Sequence, residues 1–181
     1  MSDEQLMLSF QAGDRGAFDA LFDRYRQPIW AFFRRRTTNA ADAEELAQDV
    51  FLAVFQGRAR WEPRAPFRTY LFAIAFNVVS AWRRRAAAHA GDRTLLDVHP
   101  AAGTDPTPAL VVREALAALD EHDREIVMLR EFDALSYAEI AALLDIPLNT
   151  VRSRLFRARA ALRARLSLRA DGGAAPFEVR A

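Results

Sequence analysis

A chain of 181 residues can form one ordinary domain or two small ones, and with 51% hydrophobic and 27% charged residues it can bury a core, which excludes general disorder. It contains no cysteine, so disulfides, thiolate zinc sites and a thiol redox switch are excluded. A net charge of +1 points neither toward nor away from a polyanion, but all 25 basic residues are arginine, whose planar fork suits phosphates and guanine edges.

Helical periodicity dominates and no run alternates at the period of a strand, so the expected fold is all-α, two small helical domains joined by a linker. The first ten residues mix acids with apolar residues and lack the basic leader and apolar run of a signal peptide. Nothing elsewhere is long and apolar enough to cross a bilayer, so a cytoplasmic protein without membrane insertion is expected.

The first module, 1–85, should hold four helices, near 4–11, 17–36, 42–55 and 67–85. Asp42 with Glu45 three residues on has the spacing of a capping box and announces the third helix. On that helix Ala43, Leu46, Ala47, Val50 and Val54 form the stripe to be buried, which leaves Glu45, Gln48, Asp49, Leu52 and Gln56 on the far side. A leucine ringed by acids and glutamines has the make-up of an anchor in a protein interface; the other reading is an ordinary surface helix with Leu52 tucked under the N-terminal helix.

The loop 57–66, with two prolines and Trp61, breaks the pattern before the fourth helix. There Leu71, Ile74, Ala75, Val78 and Trp82 are the expected buried stripe, so Phe76, Asn77, Ser80, Arg83 and Arg84 should point outward. Trp61, Phe67 and Tyr70 stand just before it or at its start. Aromatics beside arginines and an exposed asparagine suit single-stranded DNA, whose bases stack or enter pockets while arginine holds phosphates. The simpler alternative is that the aromatics are core and the arginines sit at the favourable negative end of the helix dipole.

Between 86 and 108 the apolar stripes give way to Ala, Gly, Asp, Thr and three prolines, a linker composition. The second module, 109–166, divides into helices at 109–119, 121–132, 137–144 and 149–166, followed by a Gly-rich tail, 167–181, expected to be mobile. Ser136 with Glu139 makes a second capping box, the 145–147 segment is a short break, and Asn149 is the expected cap of the last helix. Two helices joined by so short a turn are a helix-turn-helix candidate.

Charge singles out that last helix. Residues 109–147 carry three arginines against nine acids, whereas 148–166 carry six arginines and no acid. At 100° per residue Val151, Leu155, Ala158, Leu162 and Leu166 fall on one stripe, and Asn149, Arg152, Ser153, Phe156, Arg157 and Ala160 lie opposite. Two arginines, a hydroxyl and a ring on an exposed N-terminal half are what a major-groove reader needs, since Arg forks onto guanine and an apolar edge meets the thymine methyl. The alternative is a solvated face with Phe156 packed on a neighbouring segment; a solvated face ordinarily mixes charge signs, and this one does not.

The stretches Asp42-Ala-Glu-Glu-Leu-Ala-Gln-Asp-Val-Phe51 and Phe67-Arg-Thr-Tyr-Leu-Phe-Ala-Ile-Ala-Phe-Asn77 resemble region 2 of the extracytoplasmic-function (ECF) sigma factors of the sigma-70 superfamily. Ser136-Tyr-Ala-Glu-Ile-Ala141 with Thr150-Val-Arg-Ser-Arg-Leu-Phe-Arg-Ala-Arg159 resembles their region 4, and the likeness covers roughly 18–166. It implies a transcription initiation factor with no catalytic activity or cofactor of its own. Glu45, Gln48, Asp49 and Leu52 would bind the clamp helices of the largest subunit of core RNA polymerase, and the second-largest subunit would offer its flap. Loop 57–66 with Asn77 would capture a flipped base of the promoter's minus-ten element, while the fourth helix holds the opened strand. Trp61, Phe76, Ser80, Arg83 and Arg84 would belong to that surface. Arg152, Ser153, Phe156 and Arg157, with Asn149, would read the minus-thirty-five element. The linker would thread toward the active-site and RNA-exit channels, and many members of the family are held by an anti-sigma factor.

Three positions depart from the family pattern: Tyr70 stands where Trp is usual, and Asp145 and Asn149 where Gly is common. A left-handed turn is tolerable for Asp. Two other readings remain: a stand-alone helix-turn-helix regulator binding paired half-sites as a dimer, and a helical inhibitor with no DNA contact. No Gly-rich phosphate loop is present, and His89, His99 and His122 are too scattered for a metal set.

Overall fold

The computed structural model describes residues 1–90 and 108–171, and within these every regular element is helical. The chain divides into two compact units, 1–97 and 98–181. Most of the expected linker, 86–108, and all of the tail beyond residue 171 lie outside the described residues; the part that is described is helical, since the fourth helix runs on to Ala90 and the last to Asp171.

In the first unit, α1 (Asp3–Gln11) is closed by a capping box in which the Ser2 hydroxyl accepts from Gln5 N and Gln5 Oε1 accepts from Ser2 N, satisfying two orphan amides. Gly13, at φ +104°, lets the chain reverse at once, and Asp14 caps α2 (Arg15–Arg34) by accepting from Gly16 N and Ala17 N. Asp3 receives the Tyr25 hydroxyl and pairs with Arg24, tying α1 to α2. Burial first, and then that bond, raises the Tyr25 phenol above its ordinary value.

The helix α3 (Ala40–Gly57) begins earlier than its sequence suggests. Asn39, not Asp42, is the cap: its Oδ1 accepts from Asp42 N at 2.7 Å and its Nδ2 donates to the Asp42 carboxylate. Asp42 thus occupies the third helical position, not the cap, and Glu45 stays exposed. The last helix of the unit is α4 (Phe67–Ala90). Its core stripe is Leu71, Phe72, Ala75 and Val79; Ile74, Val78 and Trp82, expected inside, are only half-buried. The core is aromatic, with Phe32 edge-on to Phe33 and Phe72 at 5.2 and 5.8 Å, and Phe67 edge-on to Tyr25 and Trp61 at 5.7 and 6.4 Å. Each such ring buried contributes about 1.5–3 kcal/mol.

The second unit holds α5 (Pro108–Ala117), α6 (Glu121–Val127), α7 (Tyr137–Leu144) and α8 (Leu148–Asp171). Arg124 of α6 donates to the carbonyls of Leu116, Ala117 and Leu119, closing the C-terminal end of α5 with a cation where the dipole favours one. The single helix expected over 121–132 is α6 continued by a wider π-helical turn, Met128–Phe132. Just beyond its cap, Asp133, Ala134 is held left-handed at φ 53°. The core is Ile126, Leu129, Leu135, Ile140, Val151, Leu155 and Ala158.

Candidate nucleic-acid and polymerase interfaces

The α7–turn–α8 geometry follows from local chemistry. Ser136 and Glu139 form the expected capping box at the start of α7. Asp145 ends α7 in the left-handed region (φ 52°, ψ 50°), its N–H bonding back to Ala141 O, and Pro147 starts α8, its carbonyl accepting from Thr150 N and Val151 N. Asn149 is therefore not the cap of α8. It sits inside the first turn, because the fixed φ of Pro147 starts the helix one residue earlier, and its Oδ1 accepts from Arg152 at 3.3 Å.

Val151, Leu155 and Ala158 are buried as expected, while Leu162 and Leu166 are only half-covered. Asn149, Arg152, Ser153, Phe156, Arg157 and Ala160 are all exposed. Phe156 is 70% exposed, which removes the reading in which it packs on a neighbouring segment.

The six arginines of residues 148–166 do not act alike. Arg154 pairs with Asp123 at 3.3 Å, and Arg159 with Glu131 at 3.0 Å, so two of them fasten α8 to α6 and its π turn. The Glu131 bond is the first reason the Arg159 guanidinium holds its proton above the ordinary value. Among the described residues no carboxylate lies in ion-pair range of Arg152 or Arg157. The acids missing from α8 itself are thus supplied across the unit, to Arg154 and Arg159 at the two edges of the buried stripe, leaving the outward face cationic.

On α3, Ala43, Leu46, Ala47, Val50 and Val54 are buried, and Glu45, Gln48, Asp49, Leu52 and Gln56 are exposed. Leu52 is 53% exposed and is not tucked under α1. Sequence reasoning missed two exposed aromatics of the neighbouring helix α2. Phe22 and Trp30 of α2 are partly exposed, and Phe22 meets Phe51 edge-on at 4.8 Å. Their signal was a spacing of eight residues next to, not within, the buried stripe of α2.

On α4, Asn77 and Arg84 are exposed, while Phe76, Ser80 and Arg83 are half-buried. The expectation for Trp61 is overturned: it is 6% exposed, lies against Phe67, and cannot offer a stacking face to a base. Residues 62–66, between these two buried rings, form an exposed tip. No helix of the described residues is long and apolar enough to cross a membrane, and no His, Asp or Glu group among them could hold a metal ion.

Comparison with known proteins matches residues 21–89 to sigma-70 region 2 and residues 109–162 to sigma-70 region 4. The chain is 33% identical to the RNA polymerase sigma-H factor of Pseudomonas aeruginosa over 181 residues, covering 88% of this chain and 91% of that protein. It is 34% identical to the ECF RNA polymerase sigma factor SigM of Mycobacterium tuberculosis, covering 89% and 83% respectively. The ECF RNA polymerase sigma-E factor of Escherichia coli is 30% identical, with 90% and 93% covered. Among solved structures, CnrH in complex with the cytosolic domain of CnrY superposes with a TM-score of 0.71 at 27% identity, covering 93% of this chain and 99% of that one. The sigma factor RpoE bound to the anti-sigma factor NepR, from Bartonella quintana, shares the fold with a TM-score of 0.68 at 23% identity, covering 83% and 96%. Two helical units, one with a helix-turn-helix whose second helix is cationic on its free flank, matched in order to regions 2 and 4, make this chain a member of the ECF group of sigma-70 factors, an RNA polymerase sigma factor that directs transcription initiation.

Proposed function

We propose that the promoter-reading work of this sigma factor is divided among three surfaces. Arg152, Ser153, Phe156 and Arg157 of α8, with Asn149 in its first turn, read the minus-thirty-five element in the major groove. The observation that carries this is the exposed cationic face of α8 with Phe156 standing in solvent, opposite a stripe buried to 1% or less at Val151, Leu155 and Ala158. A ring with that exposure adds nothing to the fold, and an apolar edge beside two arginines suits a thymine methyl next to guanine.

Glu45, Gln48, Asp49 and Leu52 of α3 dock on the clamp helices of the polymerase's largest subunit. The exposed tip 62–66, with Asn77, captures an unpaired base of the minus-ten element, and Phe76, Ser80, Arg83 and Arg84 line the path of the opened strand. Trp61 supports the tip from within the core. The second unit is the part that takes the flap of the second-largest subunit.

The protein catalyses no reaction itself; it opens DNA by trapping bases and leaves nucleotide chemistry to the polymerase in the cytoplasm. The likeness to CnrH, solved in complex with the cytosolic domain of CnrY, supports control by a bound partner protein, and an anti-sigma factor is the partner proposed here. Run-off transcription over a promoter library, with core enzyme, the chain, or both, tests the reading. Only the mixture should initiate. Tight binding of the chain alone to symmetric duplex half-sites would instead make it a stand-alone regulator.

A further inference from the structure

The two ends of the exposed tip 62–66 are held by side chains from a helix about fifty residues earlier in the chain. Gln11, at the end of α1, donates through Nε2 to the carbonyls of Arg58 and Trp61, both at 2.7 Å. An amide nitrogen has two N–H groups, and both are used. At the other end, Glu4 Oε1 accepts from Phe67 N at 3.0 Å, at the first turn of α4 where amides lack helical partners. That bond is the main reason the Glu4 carboxyl is held below its ordinary value.

Glu4 and Gln11 are seven residues apart, two turns, and so lie on one face of α1 about 10 Å from each other. Between their partners run five residues that could stretch about 17 Å, and the flanking Trp61 and Phe67 rings pack edge-on beneath them with centroids 6.4 Å apart. Within this arch Arg64 N donates to Glu62 O at 2.8 Å and the Arg64 guanidinium pairs with the Glu62 carboxylate, which turns the tip locally; with no helical or sheet bonding beyond that, the width of the arch depends on where its feet are set.

We propose that α1 is the gauge of the base-capture loop: Glu4 and Gln11 are positioning residues that set the span of the 62–66 tip and so determine promoter-strand discrimination without touching DNA. This rests on the reading of that tip as the capture loop.

The test uses reconstituted holoenzyme and single-stranded oligonucleotides carrying minus-ten sequences selected from a randomised pool by the wild-type protein. The readout is the affinity ratio between the preferred base and its replacements at each position. Gln11→Glu places a carboxylate against two carbonyls in nearly unchanged volume, and loss of bonds of this kind should lower the ratio at the captured base by about tenfold. Glu4→Ala should act in the same direction, whereas Glu4→Gln, which keeps an acceptor, should restore the ratio.

Leu6→Ala, which removes core volume from α1 without touching either bond, separates positioning from stability: at an equal loss of melting temperature it should leave the ratio unchanged. If Asn77→Ala abolishes discrimination while Gln11→Glu leaves it intact, or if Leu6→Ala erodes it as much, α1 is mere packing and the gauge is overturned. If Asn77→Ala is also silent, the capture-loop reading falls and the gauge with it.

Discussion

Replacing Arg157 by alanine isolates base reading from folding better than any other change in α8. The side chain is exposed, and among the described residues no acid pairs with it, so its removal should move stability by less than about 0.5 kcal/mol. Its neighbours give the contrast. Arg154 is tied to Asp123 and Arg159 to Glu131, so their loss would loosen the seat of α8 on α6 before it altered any base contact. If Arg157 forks onto a guanine edge, the variant should lose about 1–3 kcal/mol at that base pair, roughly five- to 150-fold in affinity. At every other position its preferences should match the wild type. The assay is holoenzyme binding, by anisotropy at fixed ionic strength, to duplexes carrying each base in turn across the minus-thirty-five element. A uniform loss on all duplexes, with the preference at each position retained, would refute base reading by Arg157 and leave it a backbone contact.

Leu52→Asp should abolish association with core polymerase in a pull-down while leaving the helical circular dichroism unchanged, because a leucine already 53% exposed contributes little to the core; normal holoenzyme formation would place the interface elsewhere. Ala134→Gly should raise the melting temperature of a fragment carrying the second unit, since relief of a left-handed alanine, about 1–2 kcal/mol, exceeds the extra chain entropy of glycine, about 0.5–1 kcal/mol; an unchanged or lower midpoint would show that φ 53° carries no strain there. The Glu4 carboxyl is lowered by its bond to Phe67 N, so the stability it contributes is present above the ordinary glutamate value near pH 4.3 and is lost as pH falls through the lower folded value. Urea unfolding of wild type and Glu4→Gln should accordingly differ most near neutrality and converge in acid, and a difference that grew on acidification would reverse the assignment.

What was legible in the sequence follows the range over which each feature is determined. The Ser136–Glu139 box, the left-handed Asp145 and the buried stripe of α8 are set by residues within a few turns, in a helix whose polar and apolar faces are cleanly separated. On α4 the same wheel failed. Leu71, Phe72, Ile74, Ala75, Phe76, Val78, Val79 and Trp82 surround the helix with apolar groups, so periodicity has no unique phase and tertiary packing chose Phe72 and Val79 over Ile74 and Val78. Trp61 and the Glu4 and Gln11 bonds were unreadable for a different reason. A loop tryptophan goes inside only because Phe67 waits for it, and its carbonyl is met by a side chain fifty residues away. The start of α3 lay among several residues able to cap, and the hydrogen bonds decided for Asn39.

The sorting of the α8 arginines also limits how this unit answers to electrolyte. Six cations in the sequence would forecast six displaced counterions, yet two already have carboxylate partners within the unit. Of these six, Arg152, Arg157, Arg163 and Arg165 are left to shed chloride and neutralise phosphate. The contribution of residues 148–166 to the logarithmic salt dependence of duplex binding should therefore be no steeper than about −3.6, against about −5.4 if all six were spent.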